Sequence, residues 1–389
     1  MRVLLLAPAI ADYCVEYANA LANKAEVTLV APNRTFKKHA EFFDKAVDLQ
    51  LVDWPRHRSP RNLSFMYRLR RQIDDLHPDV VHILSEGVLW LNLVLPTAQK
   101  YGLVTTVHDV TYHVGDRASR QVPRWFADQL IRRSDRIIVH GSALRTAAES
   151  RYPEIRDRLS ILPHIVLRRY RDISIIERMK RSNPEIVNVL FFGRIYRYKG
   201  LDVLIRSMAH VTKNFSNIRL IIAGEGDNFS SYRKEMVDPH FFEVRNRHIA
   251  DNEAAQLFVD ADIVVLPYVE ASQSGVLAIA NAFAKPVIVS NVGELGRVVV
   301  DGVSGLVVPP ADERLLADAI LKLATNPDVR ARLGNAGQEL ADQTASPKSV
   351  AEKAIAIYTA VADMRRAGRG RDNTVKKRHS IVARLNTQG

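Results

Sequence analysis

The stretch from Val187 to Leu204 reads VNVLFFGRIYRYKGLDVL and contains the features that decide the fold. An apolar run at its start predicts a buried strand that ends at Gly193. Lys199 and Gly200 then open a segment whose apolar spacing predicts a helix. In an open parallel sheet, the carboxyl end of a strand and the amino end of the next helix face a crevice that favours anions. The stretch therefore predicts an α/β domain with an anion site.

Two cationic side chains, Arg194 and Lys199, follow this strand closely. A guanidinium is a planar fork that matches phosphate oxygens, and an ammonium is a mobile point charge. Together they suit a diphosphate held from two directions. The local pattern alone leaves an alternative open, in which both are solvated surface cations on an ordinary strand–helix turn.

Further blocks follow in order along the chain. They are LIIAGEGD (220–227), HIADNEAAQLFVDADIVVLPY (248–268) and QSGVLAIANAFAKPVIVSNVG (273–293). With FFGRIYRYKGLDVLI, they resemble the donor-site signatures of family 4 retaining glycosyltransferases. The resemblance implies an α/β fold of GT-B type, in which two Rossmann-like domains with parallel sheets face each other across a cleft. It also implies sugar transfer from a nucleoside diphosphate sugar to an acceptor.

The resemblance, read with the local pattern, gives a set of candidate site residues. Catalysis is assigned to His108, Arg194 and Lys199. Donor binding is assigned to Gly193, Gly224, His248, Ile249, Glu270, Gln273, Ser274, Gly275 and Val276. Ser274 to Val276 open a helix whose N–H groups suit the distal phosphate, Glu270 or Gln273 suits sugar hydroxyls, and the end of a strand near His248 and Ile249 corresponds to the nucleobase pocket.

His108 stands at the carboxyl end of a predicted strand, Val104 to Val107, and therefore points into the crevice. In the resembled family a His-Asp pair at this point lies beside the donor sugar. A lone histidine is more often structural, so that alternative stays open. His113 and Asp116 follow on the same loop and are candidates for the acceptor side.

The sequence also departs from the resembled family. Members usually have two glutamates separated by seven residues, but Ser272 and Ala280 occupy those positions, and a frame that starts at Glu270 reaches only Ala278. A later motif has Glu294, Gly296 and Arg297 in place of the usual residue types. An alternative function is therefore a weak or inactive glycosyltransferase-like protein that serves as a membrane-associated scaffold or subunit.

The length of 389 residues predicts two domains. We expect an N-terminal acceptor domain over residues 1–167, a linker over 168–186 and a donor domain over 187–346. A last helix over 347–364 is expected to cross back to the first domain, and residues 365–389 to form a basic flexible tail. The single cysteine, Cys14, excludes an internal disulfide and a cysteine-cluster metal site.

The net charge of +12 is unevenly distributed. Residues 1–187 contain 29 Lys and Arg against 21 Asp and Glu, residues 188–363 contain 18 against 21, and residues 364–389 contain 8 against 1. A basic segment with interleaved apolar residues includes Arg56, Arg58, Arg61, Arg68, Arg70 and Arg71. It predicts either a solvated amphipathic helix or a contact with an anionic membrane surface. A nucleic-acid partner is not expected because no binding module is recognisable.

Neither a signal peptide nor a membrane-spanning run is expected, so the sequence predicts a cytoplasmic protein, at most peripheral on the inner face of the membrane. No cofactor is expected beyond the nucleotide-sugar substrate, because the two cations and the helix start can meet the diphosphate charge without metal. Asp260 and Asp262 have the spacing of a metal motif, but Asp262 opens a predicted strand and is expected to be structural. The acceptor is expected to be a saccharide or a lipid-linked saccharide of surface-polysaccharide assembly.

Overall fold

The structure is a computed structural model that describes residues 1–55, 59–85, 91–95, 100–111, 124–183, 185–226 and 228–385. Four residues singled out from the sequence lie outside these ranges. They are Arg56, Arg58, His113 and Asp116.

In the described residues, the first domain is built on seven parallel strands in the order β3-β2-β1-β4-β5-β6-β7. The strands are β1 (Arg2–Leu6), β2 (Glu26–Pro32), β3 (Val47–Val52), β4 (Val80–Ile83), β5 (Gly102–Val107), β6 (Arg136–Val139) and β7 (Leu159–Ile161). Continuous apolar runs such as VLLL and IIV fit strands that helices cover on both faces. The helices between them are α1 (Ala11–Ala22), α2 (Asn33–Phe36), α3 (Asn62–Leu76), α4 (Leu91–Val94), α5 (Arg124–Arg133) and α6 (Ser142–Arg151).

The second domain has a parallel sheet with the order β10-β9-β8-β11-β12-β13 over the described ranges. Its strands are β8 (Val187–Phe192), β9 (Ile218–Ala223), β10 (Phe242–Arg245), β11 (Ile263–Leu266), β12 (Val287–Ser290) and β13 (Leu306–Val308). The central strand β8 is the apolar run that precedes Gly193, and β9 and β11 pair with it in parallel register. The predicted fold class, with two parallel α/β sheets, is confirmed.

Helices cover both faces of this sheet. After α7 (Arg169–Ile176) in the connecting segment come α8 (Leu201–Asn214), α9 (Ser230–Glu235), α10 (Asp251–Asp260), α11 (Gly275–Ala282), α12 (Leu295–Val298), α13 (Glu313–Ala324) and α14 (Pro327–Ala345). No helix in the described part of the chain is both long and apolar enough to cross a membrane.

The connecting segment differs from the expected one in two ways. The predicted strand Ile161 to Val166 is already finished at Ile161, and Pro163, which has no N–H group to pair, lies just beyond that end. The expected linker contains α7, which packs against α10. The buried guanidinium of Arg169 in α7 bonds Asp251 of α10 at 2.8 Å and also bonds Asp12 of α1. The connection is therefore a packed element that joins both domains.

The last helix, α15 (Pro347–Leu385), packs against α1, β4 and β5 of the first domain. It lies so close to β5 that a Cβ atom on Gly102 would be 2.3 Å from Val361 Cγ1. The helix was expected to end at Met364, but it continues through residues 365–385. The segment contains no proline, and Arg365 and Arg366 bond Asp135 and Asp79 of the first domain, which holds the next turn in place.

Apolar side chains connect the two sheets. One cluster of buried residues extends from Val3 and Leu29 in the first sheet through Leu162 and Ile165 to Leu190 in the second. Other clusters fill the opposite faces of the two sheets. Residues just beyond the carboxyl ends of strands in both sheets line common cavities, so these ends meet across one cleft.

Candidate active site

The turn after β8 is built on close backbone approaches. Gly193 and Gly200 have φ angles of +108° and +64°, which favour glycine. A Cβ atom on Gly200 would lie 1.9 Å from the carbonyl oxygen of Pro267, and one on Gly224 would lie 1.9 Å from that of Gly193. The loops after β8, β9 and β11 therefore touch backbone to backbone, and this brings their side chains to one point.

Lys199 lies at that point. Its ammonium is 3.7 Å from the centre of the Tyr268 ring and 5.1 Å from that of Tyr198. The Tyr268 hydroxyl is 3.2 Å from Ser274 Oγ, at the residue that precedes α11. Burial raises the pKa of Tyr268 well above its ordinary value, so this hydroxyl stays protonated. A neutral aromatic ring thus joins the lysine to the start of α11.

Arg194 is exposed on the same side of the second domain. Its guanidinium carbon is 5.2 Å from the centre of the Tyr196 ring. The positive charge of Arg194 also lowers the pKa of Tyr268 slightly, against the larger effect of burial. Gly193 faces the start of α11, since a Cβ atom there would be 3.4 Å from Val276 Cγ2. The backbone just before Arg194 therefore lies close to the start of α11, whereas convergence of both cations with the α11 N–H groups on one anion stays a prediction.

The loop from Val269 to Ser274 carries the predicted sugar contacts. Its Val269 N–H donates to the carbonyl oxygen of Tyr198 at 2.9 Å, which ties this loop to the β8–α8 turn. Glu270 lines a cavity of about 400 Å³ in the cleft, together with Thr111 and Leu144 of the first domain. Its position fits a residue that contacts either the donor sugar or the acceptor.

Gln273 and Ser274 line a second cavity, of about 110 Å³, which lies along α11. His140 and His164 of the first domain lie on its wall. The side-chain oxygen of Gln273 is buried and has no hydrogen-bond partner among the described residues. The structure therefore places Glu270 and Gln273 at different cavities, although the sequence analysis treated them as alternatives for one role.

His248 and Ile249 follow β10 at the rim of the cleft. Ile249 is buried, whereas His248 is exposed and its Nε2 lies 3.5 Å from Lys38 Nζ of the first domain. The pair thus lies where the two domains meet, beyond the β9 loop that contains Gly224. Contact with a nucleobase stays a prediction.

His108 lies at the end of β5, as predicted, but it is buried. Its Nε2 donates to the carbonyl oxygen of Leu84 at 2.8 Å, and its Nδ1 is 3.1 Å from Nε2 of His140. Burial lowers the pKa of His108, so the ring is neutral. Since both ring nitrogens have partners inside the protein, direct contact with the sugar stays a prediction that would require His108 to give one partner up.

A buried network of histidines and tyrosines surrounds His108, and the sequence analysis missed it. The Tyr13 ring packs edge-on against His108. In the same network, His82 Nδ1 is hydrogen-bonded to the Tyr358 hydroxyl at 2.6 Å, and this hydroxyl is hydrogen-bonded to that of Tyr17 at 2.7 Å. The available signal was positional: His82, His140 and His164 lie in or just after β4, β6 and β7, as His108 does for β5.

The two positions that usually hold glutamates are buried. Ala280 is fully enclosed in the core, and the carbonyl oxygen of Ser272 accepts the Glu294 N–H at 3.3 Å. The carboxylate of Glu294, one of the residues that depart from the family pattern, bonds the Ala143 and Leu144 N–H groups of the first domain. The departures are therefore accommodated in the packing of the cleft.

Asp260 and Asp262 hold the connecting segment to the second domain. The Asp262 carboxylate accepts hydrogen bonds from both terminal nitrogens of Arg181, at 2.8 and 2.6 Å. Asp260 accepts the N–H and hydroxyl of Ser182, at 2.7 and 2.9 Å. Both carboxylates are engaged in structural contacts. Over the described ranges, no three His, Cys, Asp or Glu side chains are grouped so that they could hold a metal ion.

Comparison with known families covers most of the chain. Residues 10–166 match the model described as Glycosyltransferase Family 4, and residues 186–326 match the one described as glycosyl transferases group 1. The chain belongs to glycosyltransferase family 4. The resemblance drawn from the sequence is confirmed, and the assignment of this protein as a glycosyltransferase is confirmed with it.

Two relatives illustrate how far this family 4 glycosyltransferase has diverged. A D-inositol 3-phosphate glycosyltransferase of Pseudarthrobacter chlorophenolicus is 28% identical over 326 residues, which cover 79% of this chain and 78% of that protein. A phosphatidyl-myo-inositol mannosyltransferase of Mycobacterium leprae is 31% identical over 178 residues, which cover 45% of this chain and 46% of that protein.

Solved structures share the fold of this family 4 glycosyltransferase. A sucrose-phosphate synthase from Thermosynechococcus elongatus superposes with a TM-score of 0.72 at 17% identity, covering 93% of this chain and 99% of the other. Anabaena HepE in complex with UDP and glucose gives a TM-score of 0.70 at 17% identity, covering 91% and 98%. At this identity the likeness shows the fold alone, and the GT-B type arrangement is confirmed.

Proposed function

We propose that this family 4 enzyme transfers a sugar from a nucleoside diphosphate sugar to an acceptor, with retention of the anomeric configuration. One observation carries the proposal: Lys199 and Ser274, on different loops, meet at the two ends of Tyr268. This arrangement, with Arg194 beside it, suits a diphosphate. The similar HepE structure contains UDP and glucose, which agrees with such a donor.

In the proposed reaction, the bond between the sugar C1 and the diphosphate oxygen breaks, and a bond from C1 to an acceptor hydroxyl oxygen forms. The proton of that hydroxyl leaves with the departing phosphate oxygen. Negative charge grows on the diphosphate as its bond breaks, so stabilising this charge is the main catalytic requirement. We propose that Arg194, Lys199 and the first N–H groups of α11 stabilise this charge without a metal.

A thermal-shift screen over nucleoside diphosphates and their common sugars tests the donor class, because a ligand selective for the folded state raises the melting temperature. We expect the donor nucleotide to stabilise wild type but not Arg194→Ala or Lys199→Ala. Arg314→Ala and Lys322→Ala, two exposed cations of α13, serve as matched controls that keep the response. Absence of stabilisation by every nucleotide would overturn the proposal.

Turnover assays separate the enzyme from the scaffold alternative, which Ser272 and Ala280 at the usual glutamate positions favour. If wild type transfers sugar or hydrolyses the donor and Lys199→Ala does not, the result supports the enzymatic function. Nucleotide binding without turnover of any donor supports the scaffold. We expect activity to survive EDTA, since the proposal gives the leaving diphosphate cationic protein partners in place of a metal.

The acceptor we propose is a saccharide, in the form of a lipid-linked intermediate, which requires the enzyme to work at the cytoplasmic face of a membrane. An apolar ridge on the first domain supports this. Its members are Leu63, Tyr67, Leu93 and Trp125, which are 74%, 70%, 72% and 53% exposed. They belong to α3, α4 and α5, and α4 packs against both neighbours. The exposed Arg68 and Arg71 flank the ridge and would meet anionic head groups.

Vesicle co-sedimentation tests the membrane contact. We expect wild type to bind vesicles that contain an anionic lipid more strongly than purely zwitterionic ones, and salt to weaken the binding. The double variant Leu63→Ser/Tyr67→Ser should lose most of it, whereas Leu315→Ser, at an exposed leucine of the second domain, should not. Equal sedimentation of the ridge variant and wild type would contradict the contact.

A further inference from the structure

Glu294 of the second domain reaches across the cleft to the first. It lies between β12 and α12, it is 5% exposed, and its Oε1 accepts the N–H groups of Ala143 and, at 3.2 Å, Leu144. These N–H groups open α6, where the helix has no intrahelical acceptors for them and where its dipole favours negative charge. The carboxylate therefore has good partners for a buried charge.

The first domain is shaped to receive this carboxylate. Gly141, just before α6, has an extended φ of 177° that any residue can adopt, so the backbone does not require glycine there. A Cβ atom at Gly141 would, however, lie 2.1 Å from Oε2 of Glu294. The missing side chain leaves the room that the carboxylate occupies. One turn on, Arg297 donates to Ser142 Oγ at 3.2 Å and reinforces the contact.

The same residue holds the loop that carries the predicted sugar contacts. The Glu294 N–H donates to the carbonyl oxygen of Ser272 at 3.3 Å. The preceding Gly293 has a φ of +50°, and a Cβ atom there would be 1.8 Å from the carbonyl oxygen of Ala271. A continuous path of contacts thus runs from α6 through Glu294 to the loop of Glu270 and Ser274.

We propose that Glu294 is a positioning residue, which clasps the two domains at the start of α6 and thereby fixes residues Glu270 to Ser272 of the sugar-binding loop against the acceptor side of the cleft. The catalytic consequence rests on the proposed transferase function, whereas the clasp itself does not. Arg194 and Lys199 are not part of the clasp. Its loss should therefore reduce the rate of transfer and leave the affinity for the nucleotide nearly unchanged.

Three variants probe the clasp from both sides. Glu294→Ala removes the carboxylate, Glu294→Gln keeps its shape without the charge, and Gly141→Ala places a methyl group where the carboxylate lies. Glu313→Gln is the matched control, because Glu313 pairs with Arg206 inside the second domain. We expect Glu294→Ala and Gly141→Ala to lower kcat about tenfold, with the dissociation constant of the nucleoside diphosphate changed by less than about twofold.

A double-mutant cycle provides the decisive comparison. If Gly141→Ala acts by displacing the carboxylate, adding it to Glu294→Ala should change kcat and the free energy of unfolding little further. Small-angle X-ray scattering of the substrate-free variants should show a larger radius of gyration than wild type and the Glu313→Gln control. Independent addition of the two effects, or unchanged scattering, overturns the clasp. Scattering and stability are measured without substrate, so a failure of the transferase proposal would appear separately, as absent turnover in wild type.

If Glu294→Ala fails to fold, the glutamine variant still decides. It should fold and show an intermediate loss of kcat, because an amide oxygen accepts the two N–H groups without the charge. Wild-type kcat in this variant would contradict the role of the charge at the start of α6.

Discussion

Lys199 and Tyr268 are in direct contact, with the ammonium 3.7 Å from the centre of the ring, and the hydroxyl of the same tyrosine lies 3.2 Å from Ser274 Oγ. One side chain therefore sets the distance between the lysine after β8 and the start of α11. The lysine is held on the face of a neutral ring, which attracts a cation without neutralising its charge.

The first prediction separates the two contacts of Tyr268. Tyr268→Phe keeps the ring under Lys199 but loses the hydroxyl, and Tyr268→Leu loses both. Because a cation–π contact contributes about 0.5–2 kcal/mol, we expect the leucine variant to bind nucleoside diphosphate about 2- to 30-fold more weakly than the phenylalanine variant. Isothermal titration measures this, with Tyr232→Phe in α9 as control. Equal affinities for the two Tyr268 variants would show that the ring contributes nothing.

Local signals explain which parts of the structure could be predicted. The strand β8, its turn and the start of α11 depend on apolar runs, glycines and a Ser-Gly pair, which act over a few residues. The bond from Glu294 to Ala143 joins residues 151 apart, and that from His82 to Tyr358 joins residues 276 apart. Such partners are set by the packing of whole elements, so single residue types do not reveal them. The anchoring of Arg365 by Asp135 was missed for the same reason.

The second prediction concerns the close approach of β8 and β9. Gly224 has a φ of +149°, and its Cβ would lie 1.9 Å from the carbonyl oxygen of Gly193. Gly302 also has a positive φ, +69°, but a Cβ atom there would meet nothing within 4 Å. We expect Gly302→Ala to lower the free energy of unfolding by about 1 kcal/mol, from backbone strain alone. Gly224→Ala should cost about 2 kcal/mol more and should weaken nucleotide binding. Urea denaturation checks the stabilities, and similar losses in both variants would contradict the clash.

The third prediction is a pH dependence of stability. Burial, with a smaller contribution from His108, lowers the pKa of His82 to about 3. An unfolded histidine becomes charged near pH 6.5. In the folded state, the His82 ring therefore binds no proton until the pH is far lower. Between pH 6.5 and about 3 the unfolded state binds more protons, so His82 should reduce the free energy of unfolding by up to about 1.4 kcal/mol per pH unit as the pH falls.

The variant His82→Gln isolates this contribution, because it removes the titrating group and leaves every other one in place. Its free energy of unfolding should fall less steeply between pH 6.5 and 4 than that of wild type. Parallel curves for wild type and His82→Gln would show that His82 does not titrate differently in the two states.

The last prediction concerns the anchoring of α15. Arg365 donates to both carboxylate oxygens of Asp135, at 2.9 and 2.6 Å, and the same carboxylate accepts the Leu103 N–H of β5 at 2.8 Å. Asp135 is mostly buried, so its charge is less well compensated in Arg365→Ala. We expect this variant to lower the free energy of unfolding by about 1–3 kcal/mol. Lys348→Ala, at an exposed lysine in the first turn of the same helix, should cost less than about 0.5 kcal/mol. Thermal denaturation measures both, and proteolysis should cut the end of α15 faster in Arg365→Ala. If both variants have the melting temperature of wild type, the ion pair does not hold the helix. In that case the packing of Tyr358 and Val361 on the first domain alone keeps it in place.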